Sequence, residues 1–183
     1  MVRKDQPIQR CALFLNIMES VNTPPLVFTI LPATWRDLGA LRRLEHECFK
    51  EDAWPLPDLV GVLTFPRIIR LKAVVDKQMV GFIAGDAGSP EGIGWITTLG
   101  VLAAFRRQGI AKALLESCEA GMGRQCVRLS VRVSNLPAIR LYHRFGYKET
   151  GIWPRYYQGG EDALVLEKLR KDGQQNVIDF LVK

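Results

Sequence analysis

The chain of 183 residues is 48% hydrophobic and 24% charged, a balance that suits one globular domain with a sizeable core and excludes collagen, coiled-coil and disordered classes. Its apolar runs are interrupted well short of the ~20 residues that a membrane-spanning helix needs, so no membrane partner is expected. The formal net charge is +6 but the Lys and Arg residues are scattered without a basic stripe; an anionic small molecule explains the balance equally well, and no nucleic-acid partner is expected.

Residues 1–24 begin with basic residues and a short apolar patch. Asn16 interrupts that patch and no small-x-small cleavage site follows, so a loosely ordered extension is expected rather than a signal peptide, with Met18 as an alternative start. A single domain is expected over 25–169. LVFTI, after Pro24 and Pro25, reads as a strand that Pro32 ends, and Thr34 with Asp37 three residues later resembles a capping box opening an amphipathic helix to about Phe49. EDAWPLPDLVGVLTF reads as a loop and a short helix. RLKAVVD and MVGFIAG, joined around Lys77 and Gln78, read as an antiparallel hairpin, and GWITTLGVL as the next strand.

From Arg106 the rhythm changes to a helix from Gly109 to about Ala120, the strand VRLSVRV, a helix from Leu136 to Phe145, and the strands YKETGIW and DALVLEKL. Ile110, Ala113, Leu114 and Cys118 recur at helical spacing. Strand, helix, strand implies a parallel crossover, so the expected fold is mixed α/β, a twisted sheet of six to seven strands flanked by about four helices. The tail 170–183 has no assigned role. Cys11, Cys48, Cys118 and Cys126 form no CxxC pair and the only histidines are His46 and His143, so neither a disulfide framework nor a metal site is indicated and a reducing cytoplasm is expected. Cys118 and Cys126 read as buried rather than nucleophilic, and His143 as a surface residue.

The stretch RRQGIAKALL places two arginines, a glutamine and a glycine before an amphipathic helix. A helix N-terminus exposes unpaired N–H groups and about half a positive charge, Gly109 lets backbone approach a ligand closely, and Arg106 and Arg107 add charge, so a pyrophosphate fits best. A Walker loop would need Gly before Lys112, where Ala111 stands, and no GxGxxG opens a helix. The alternative is that both arginines are simply solvated.

TTLGVLAAFRRQGIAKALLE resembles the acetyl-CoA motif of the GNAT acetyltransferase superfamily, [RQ]xxGx[GA], through Arg106, Gly109 and Ala111. RVSNLPAIRLYHRFGY resembles the later NxxAxxLYxxxGF motif through Asn135, Ala138, Leu141, Tyr142, Gly146 and Tyr147. The resemblance spans roughly residues 27 to 168. It implies acetyl-CoA as cofactor, held by backbone at Leu99, Gly100 and Val101 and by Arg106, Arg107, Gln108, Gly109, Ile110 and Ala111, with Asn135 on the pantetheine arm. It also implies Tyr142 as the acid that protonates the departing thiolate, and a strand bulge whose amide, here that of Val101, polarises the thioester.

Within the superfamily the chain is most similar to the ribosomal-protein-alanine and protein N-terminal acetyltransferases, which usually carry Glu or His where this chain has Ser130. A serine hydroxyl is no base unaided, though it can hold a water. A peptide α-amine titrates near ~8 and lysine near ~10.4, so at pH 7 about a tenth of α-amines but under one in a thousand lysines are neutral. The missing carboxylate therefore favours an α-amine, or a water relay to Glu51, Asp52 or Glu161. WPRYYQGGEDALVLEKL resembles the final hairpin of protein N-terminal acetyltransferases, which implies Tyr156 and Tyr157 as walls of a peptide groove facing Trp54. The expected activity is acetyl transfer to a peptide or protein N-terminus. A small amine or lysine side chain, and a non-catalytic acyl-CoA sensor, are the alternatives.

Overall fold

The computed structural model describes residues 26–88, 90 and 92–170, Glu51 by its backbone alone. The expectations for 1–24, for 171–183 and for Cys11 lie outside the described residues. Seven strands, β1 (Thr29–Pro32), β2 (Ile68–Val75), β3 (Gln78–Asp86), β4 (Ile93–Val101), β5 (Cys126–Arg132), β6 (Lys148–Trp153) and β7 (Ala163–Leu169), form one sheet. Among the described residues four α-helices accompany them: α1 (Leu38–Phe49), α2 (Leu56–Thr64), α3 (Ile110–Met122) and α4 (Leu136–Arg144). The strand order is β1-β2-β3-β4-β5-β7-β6, with only β4 and β5 parallel, as a crossover through α3 requires.

Local chemistry accounts for the element ends. Asp37 Oδ2 accepts the Thr34 N–H at 2.8 Å, the reciprocal arm of a capping box, while Lys72 on β2 donates to Asp37 Oδ1 at 2.6 Å and ties the helix entry to the sheet. Leu41, Leu44 and Glu45 are the buried positions of α1, on one helical face. Asp76 and Lys77, with φ of 46° and 68°, make the β2–β3 turn, and Gln78 already pairs with Val75, one residue earlier than the sequence reading placed the joint. The first strand starts at Thr29, three residues later than the sequence reading placed it, and Pro32 closes it as its last residue, paired with Leu71; β1 is the sheet edge, where a missing N–H breaks no ladder bond.

One core runs through the sheet and both helix layers, with Leu44, Phe82, Ile83, Leu114, Leu129 and Leu166 almost fully enclosed. A polar network sits inside it. Glu119 on α3 accepts from the Tyr147 hydroxyl and from Lys168 Nζ on β7, both at 2.7 Å. Tyr147→Phe leaves a buried carboxylate one donor short and should lower unfolding free energy by ~1–3 kcal/mol, read as a fall in the urea midpoint at unchanged m-value.

The feature that positions the site is a fork. Pairing between β4 and β5 stops at Ile96 and Leu129. Beyond it β4 stays with β3 up to Val101, whereas β5 stays with β7 through Arg132. The strands therefore splay, and a wedge-shaped gap opens between their C-terminal halves.

Candidate active site

The Leu102 N–H bonds Val80 O at 2.9 Å, so in the antiparallel alternation the backbone groups of Leu99 and Val101 turn away from β3, into the gap. The β4 irregularity lies at Thr97, where Ala84 pairs with Thr98 and Gly85 with Ile96, not at Val101 as the sequence reading placed it. Gly100 has a packing reason of its own. A Cβ there would come within 3.0 Å of Leu44 Cδ2 and 3.3 Å of Cys48 Sγ, so glycine lets α1 settle directly on β4.

The loop after β4 enters α3 through two left-handed residues, Arg107 (φ 65°) and Gly109 (φ 82°), with no side chain capping the helix start. Ile110 is buried and anchors the first turn, leaving its amide end open to an anion. Arg106 turns back: its Nε donates to Val101 O at 2.9 Å and its guanidinium contacts the Cys48 thiol. Gln108 Nε2 reaches Ala104 O at 3.5 Å, Arg107 is exposed, and Lys112 pairs loosely with Glu116 at 3.9 Å. Gly109→Val places a β-branched residue at φ 82°, which should cost ~1–3 kcal/mol and reduce acetyl-CoA affinity at least tenfold, measured by calorimetry.

A cleft of about 270 Å³ lies at the fork. Leu99 and Thr98 of β4, Ser130 and Arg132 of β5, Asn135, Ala138 and Tyr142 of the α4 region, Trp54 and Phe49 of the α1–α2 segment, and Tyr157 line it. Asn135 caps α4, its Oδ1 accepting the Ala138 N–H at 3.2 Å, which leaves the amide nitrogen as the group it can offer a ligand. Tyr142 is buried and stands edge-on to Tyr147, ring centroids 5.6 Å apart. Burial, reinforced by Tyr157, lifts its phenol well above the ordinary range, so it carries its proton throughout the neutral region.

The expected tyrosine pair divides. Tyr157 faces the cleft, which Ser130 also lines, and Tyr156 turns outward into an aromatic row with Trp153 at 5.2 Å and, through it, Trp95. Beside Tyr157 lies a residue the sequence reading passed over. Arg132 holds Asp52 bidentately (2.6 and 2.7 Å), Glu161 at 2.7 Å and the Gln158 carbonyl at 3.1 Å, with its guanidinium 4.5 Å from the Tyr157 ring centre. This one side chain joins the α1–α2 wall to the hairpin between β6 and β7. Nothing in the neighbouring sequence marked it, since its acidic partners lie 80 and 29 residues away along the chain.

The clamp also answers the question of a base in part. Asp52 and Glu161 are committed to Arg132, and Ser134 together with Arg132 holds the Glu161 carboxyl down to about 2, too weak a base for an amine. The side chain of Glu51 is outside the described residues. Cys118 is enclosed, its thiol pushed up to about 12 by burial, and no group of metal-binding side chains occurs among the described residues. His143 is half exposed beside Glu149 at 3.4 Å.

A splayed pair of parallel strands, backbone groups facing the gap, and an uncapped helix start beyond them are the features that the resemblance to the GNAT acetyltransferases implies. The sequence matches the acetyltransferase (GNAT) family over residues 35–147. It is 33% identical over 147 residues to an uncharacterized N-acetyltransferase of Methanocaldococcus jannaschii, covering 78% of this chain and 92% of that one. It is 32% identical over 151 residues to the catalytic subunit of the N-terminal acetyltransferase A complex of Arabidopsis thaliana, covering 79% and 78%. The ribosomal-protein alanine N-acetyltransferase of Escherichia coli shares the fold, with a TM-score of 0.71 at 24% identity over 82% of this chain and 99% of that chain. The chain belongs to the GNAT acetyltransferase family, and it is an acetyl-CoA-dependent N-acetyltransferase.

Proposed function

We propose that the acceptor is the α-amine of a peptide or protein N-terminus. The observation that carries this is the two-walled cleft: Arg132 ties the hairpin carrying Tyr157 to the segment carrying Asp52 and Trp54, beside a space of about 270 Å³ in which a peptide end can lie between the two walls. An aromatic wall with hydroxyls at Tyr157 and Ser130 suits a peptide backbone, which needs apolar contact and hydrogen-bond partners together. The Arabidopsis relative, an N-terminal acetyltransferase subunit by name, supports the same reading.

Acetyl-CoA, when bound, supplies a thioester carbonyl. The open amides of the 106–111 segment hold its phosphates, the gap-facing backbone of Leu99 and Val101 and the Asn135 amide hold the pantetheine arm, and the Val101 N–H polarises the carbonyl oxygen. The Tyr142 phenol gives its proton to the departing sulfur. Ser130, which lines the cleft with Tyr157, positions the acceptor and is not itself the base. Arg107 and Lys112 add exposed charge near the phosphates, so cofactor affinity should weaken as salt rises. Among the described residues Cys48, Cys118 and Cys126 are free thiols, which supports a reducing, cytoplasmic location.

Thiol release from acetyl-CoA tests the acceptor, using peptides with free or blocked α-amines, a blocked peptide with an internal lysine, and polyamines. Release that requires a free peptide α-amine is the expected result. Release with polyamines or lysine alone would assign a small-amine or side-chain acceptor, and silence throughout despite acetyl-CoA binding would favour a sensor.

A further inference from the structure

Glu45 is a charged residue in the wall of the cleft that the scheme above does not use. It lies in the last turns of α1, is 2% exposed, and borders the same space as Leu99, Ser130 and Tyr142. Its Oε1 accepts the Thr98 hydroxyl at 3.3 Å and its Oε2 the Trp54 N–H at a long 3.5 Å. No Lys, Arg or His pairs with it among the described residues, in contrast to Asp52 and Glu161. Two weak neutral donors compensate a buried carboxylate poorly, and for a structural position alone glutamine or leucine would be as good. Thr98 adjoins Leu99, whose backbone faces the gap, so the carboxylate sits beside the strand segment that presents the thioester.

We propose that Glu45 receives the proton of the acceptor ammonium in acetyl transfer. The ammonium gives one proton to the Glu45 carboxylate, and the freed nitrogen pair forms the N–C bond at the acetyl carbonyl. The C–S bond breaks, the sulfur takes the Tyr142 proton, and the second nitrogen proton restores Tyr142. Glu45 then returns its proton to solvent, so one amide, one thiol and one proton are formed from ammonium and thioester. Desolvation holds the Glu45 carboxyl above the usual glutamate range, only partly offset by the Trp54 N–H and the Thr98 hydroxyl, which brings it nearer the acceptor's own pKa. The other titratable or charged groups around the site are Cys48 on α1, Asp52 after it, Arg106 after β4, Arg132 on β5, Tyr142 on α4 and Tyr157. Asp52 and Arg132 neutralise each other, and Cys48 and Tyr142 are raised by burial first of all.

The inference needs acetyl transfer to an amine but not a particular amine, so the test uses both an N-terminal alanine peptide and spermidine. Glu45→Gln should lower kcat/KM about 100-fold at pH 7, the low end for a lost base because a tenth of α-amines are already neutral. The deficit should shrink to ~tenfold or less near pH 9, with acetyl-CoA affinity by calorimetry within twofold of wild type. Formate should restore part of the activity of Glu45→Ala. The carboxyl ¹³C signal absent from Glu45→Gln should titrate above the ordinary glutamate midpoint and shift when peptide is added with coenzyme A. A folded, acetyl-CoA-binding Glu45→Gln protein with turnover within threefold of wild type at every pH overturns the proposal, as does a deficit that does not change with pH. Glu45-dependent turnover of spermidine without turnover of peptide would overturn the N-terminal acceptor and uphold Glu45.

Discussion

Tyr142→Phe is expected to lower kcat by about 100- to 1000-fold while leaving the acetyl-CoA dissociation constant within twofold. The ring fills an enclosed position against Tyr147, and phenylalanine keeps that packing and the edge-on contact. Only the hydroxyl is lost, and in the proposed scheme the departing sulfur then has no proton donor, a loss that general acid catalysis values at two to four orders of magnitude. Because burial raises the Tyr142 phenol, wild-type kcat should show no alkaline limb from this residue below pH 10. Stopped-flow turnover with a saturating acceptor, together with calorimetry of acetyl-CoA binding, makes the comparison. Equal turnover in the two proteins would remove Tyr142 from the chemistry.

Arg132→Leu is expected to raise the peptide KM at least tenfold with a smaller change in kcat. Leucine fills part of the volume but cannot bridge Asp52 to Glu161, so the two walls of the cleft lose their link and two carboxylates are left facing each other. Charge-assisted, partly bidentate bonds are the strong kind, and removing the shared partner breaks all of them together. Acid sensitivity offers a second reading. Glu161 has a folded pKa of about 2, below the unfolded ~4.3, so it stabilises the fold above pH ~4.3 and that contribution is lost as pH falls toward 2. Ser134 is the larger cause and Arg132 contributes, so in Arg132→Leu part of this contribution should be absent and acid unfolding should begin at a higher pH, followed by circular dichroism. Arg132→Lys, which keeps charge but not the fork, should resemble leucine more than wild type in peptide KM.

The order of elements was readable along the chain because each carries its own signal. Thr34 and Asp37 sit at the spacing of a reciprocal cap, Ile110, Leu114 and Cys118 lie on one helical face, and a crossover helix between two strands requires a parallel pair. The first strand was placed too early at its start, at Leu26 rather than Thr29, because apolar, β-prone residues mark a strand only where a neighbour pairs with them, and pairing with β2 begins at Thr29. Gly100 was read for its backbone, and its packing against Leu44 and Cys48 became visible only when α1 was laid across β4.

The cleft divides in the same way. Arg106, Gly109, Asn135 and Tyr142 stand at short fixed spacings, because a turn, a helix start and one helical face are built by neighbours in sequence. Arg132 gathers Asp52 from 80 residues before it and Glu161 from 29 after it, and Glu45 meets Thr98 across 53 residues. No periodicity records such pairs. The sequence by itself determined the family and the loop that leads into α3, since these rest on local backbone conformations. Tertiary structure alone decided which carboxylates are neutralised and which one is left buried at the fork, since the charge state of a group depends on neighbours that the chain brings together only by folding.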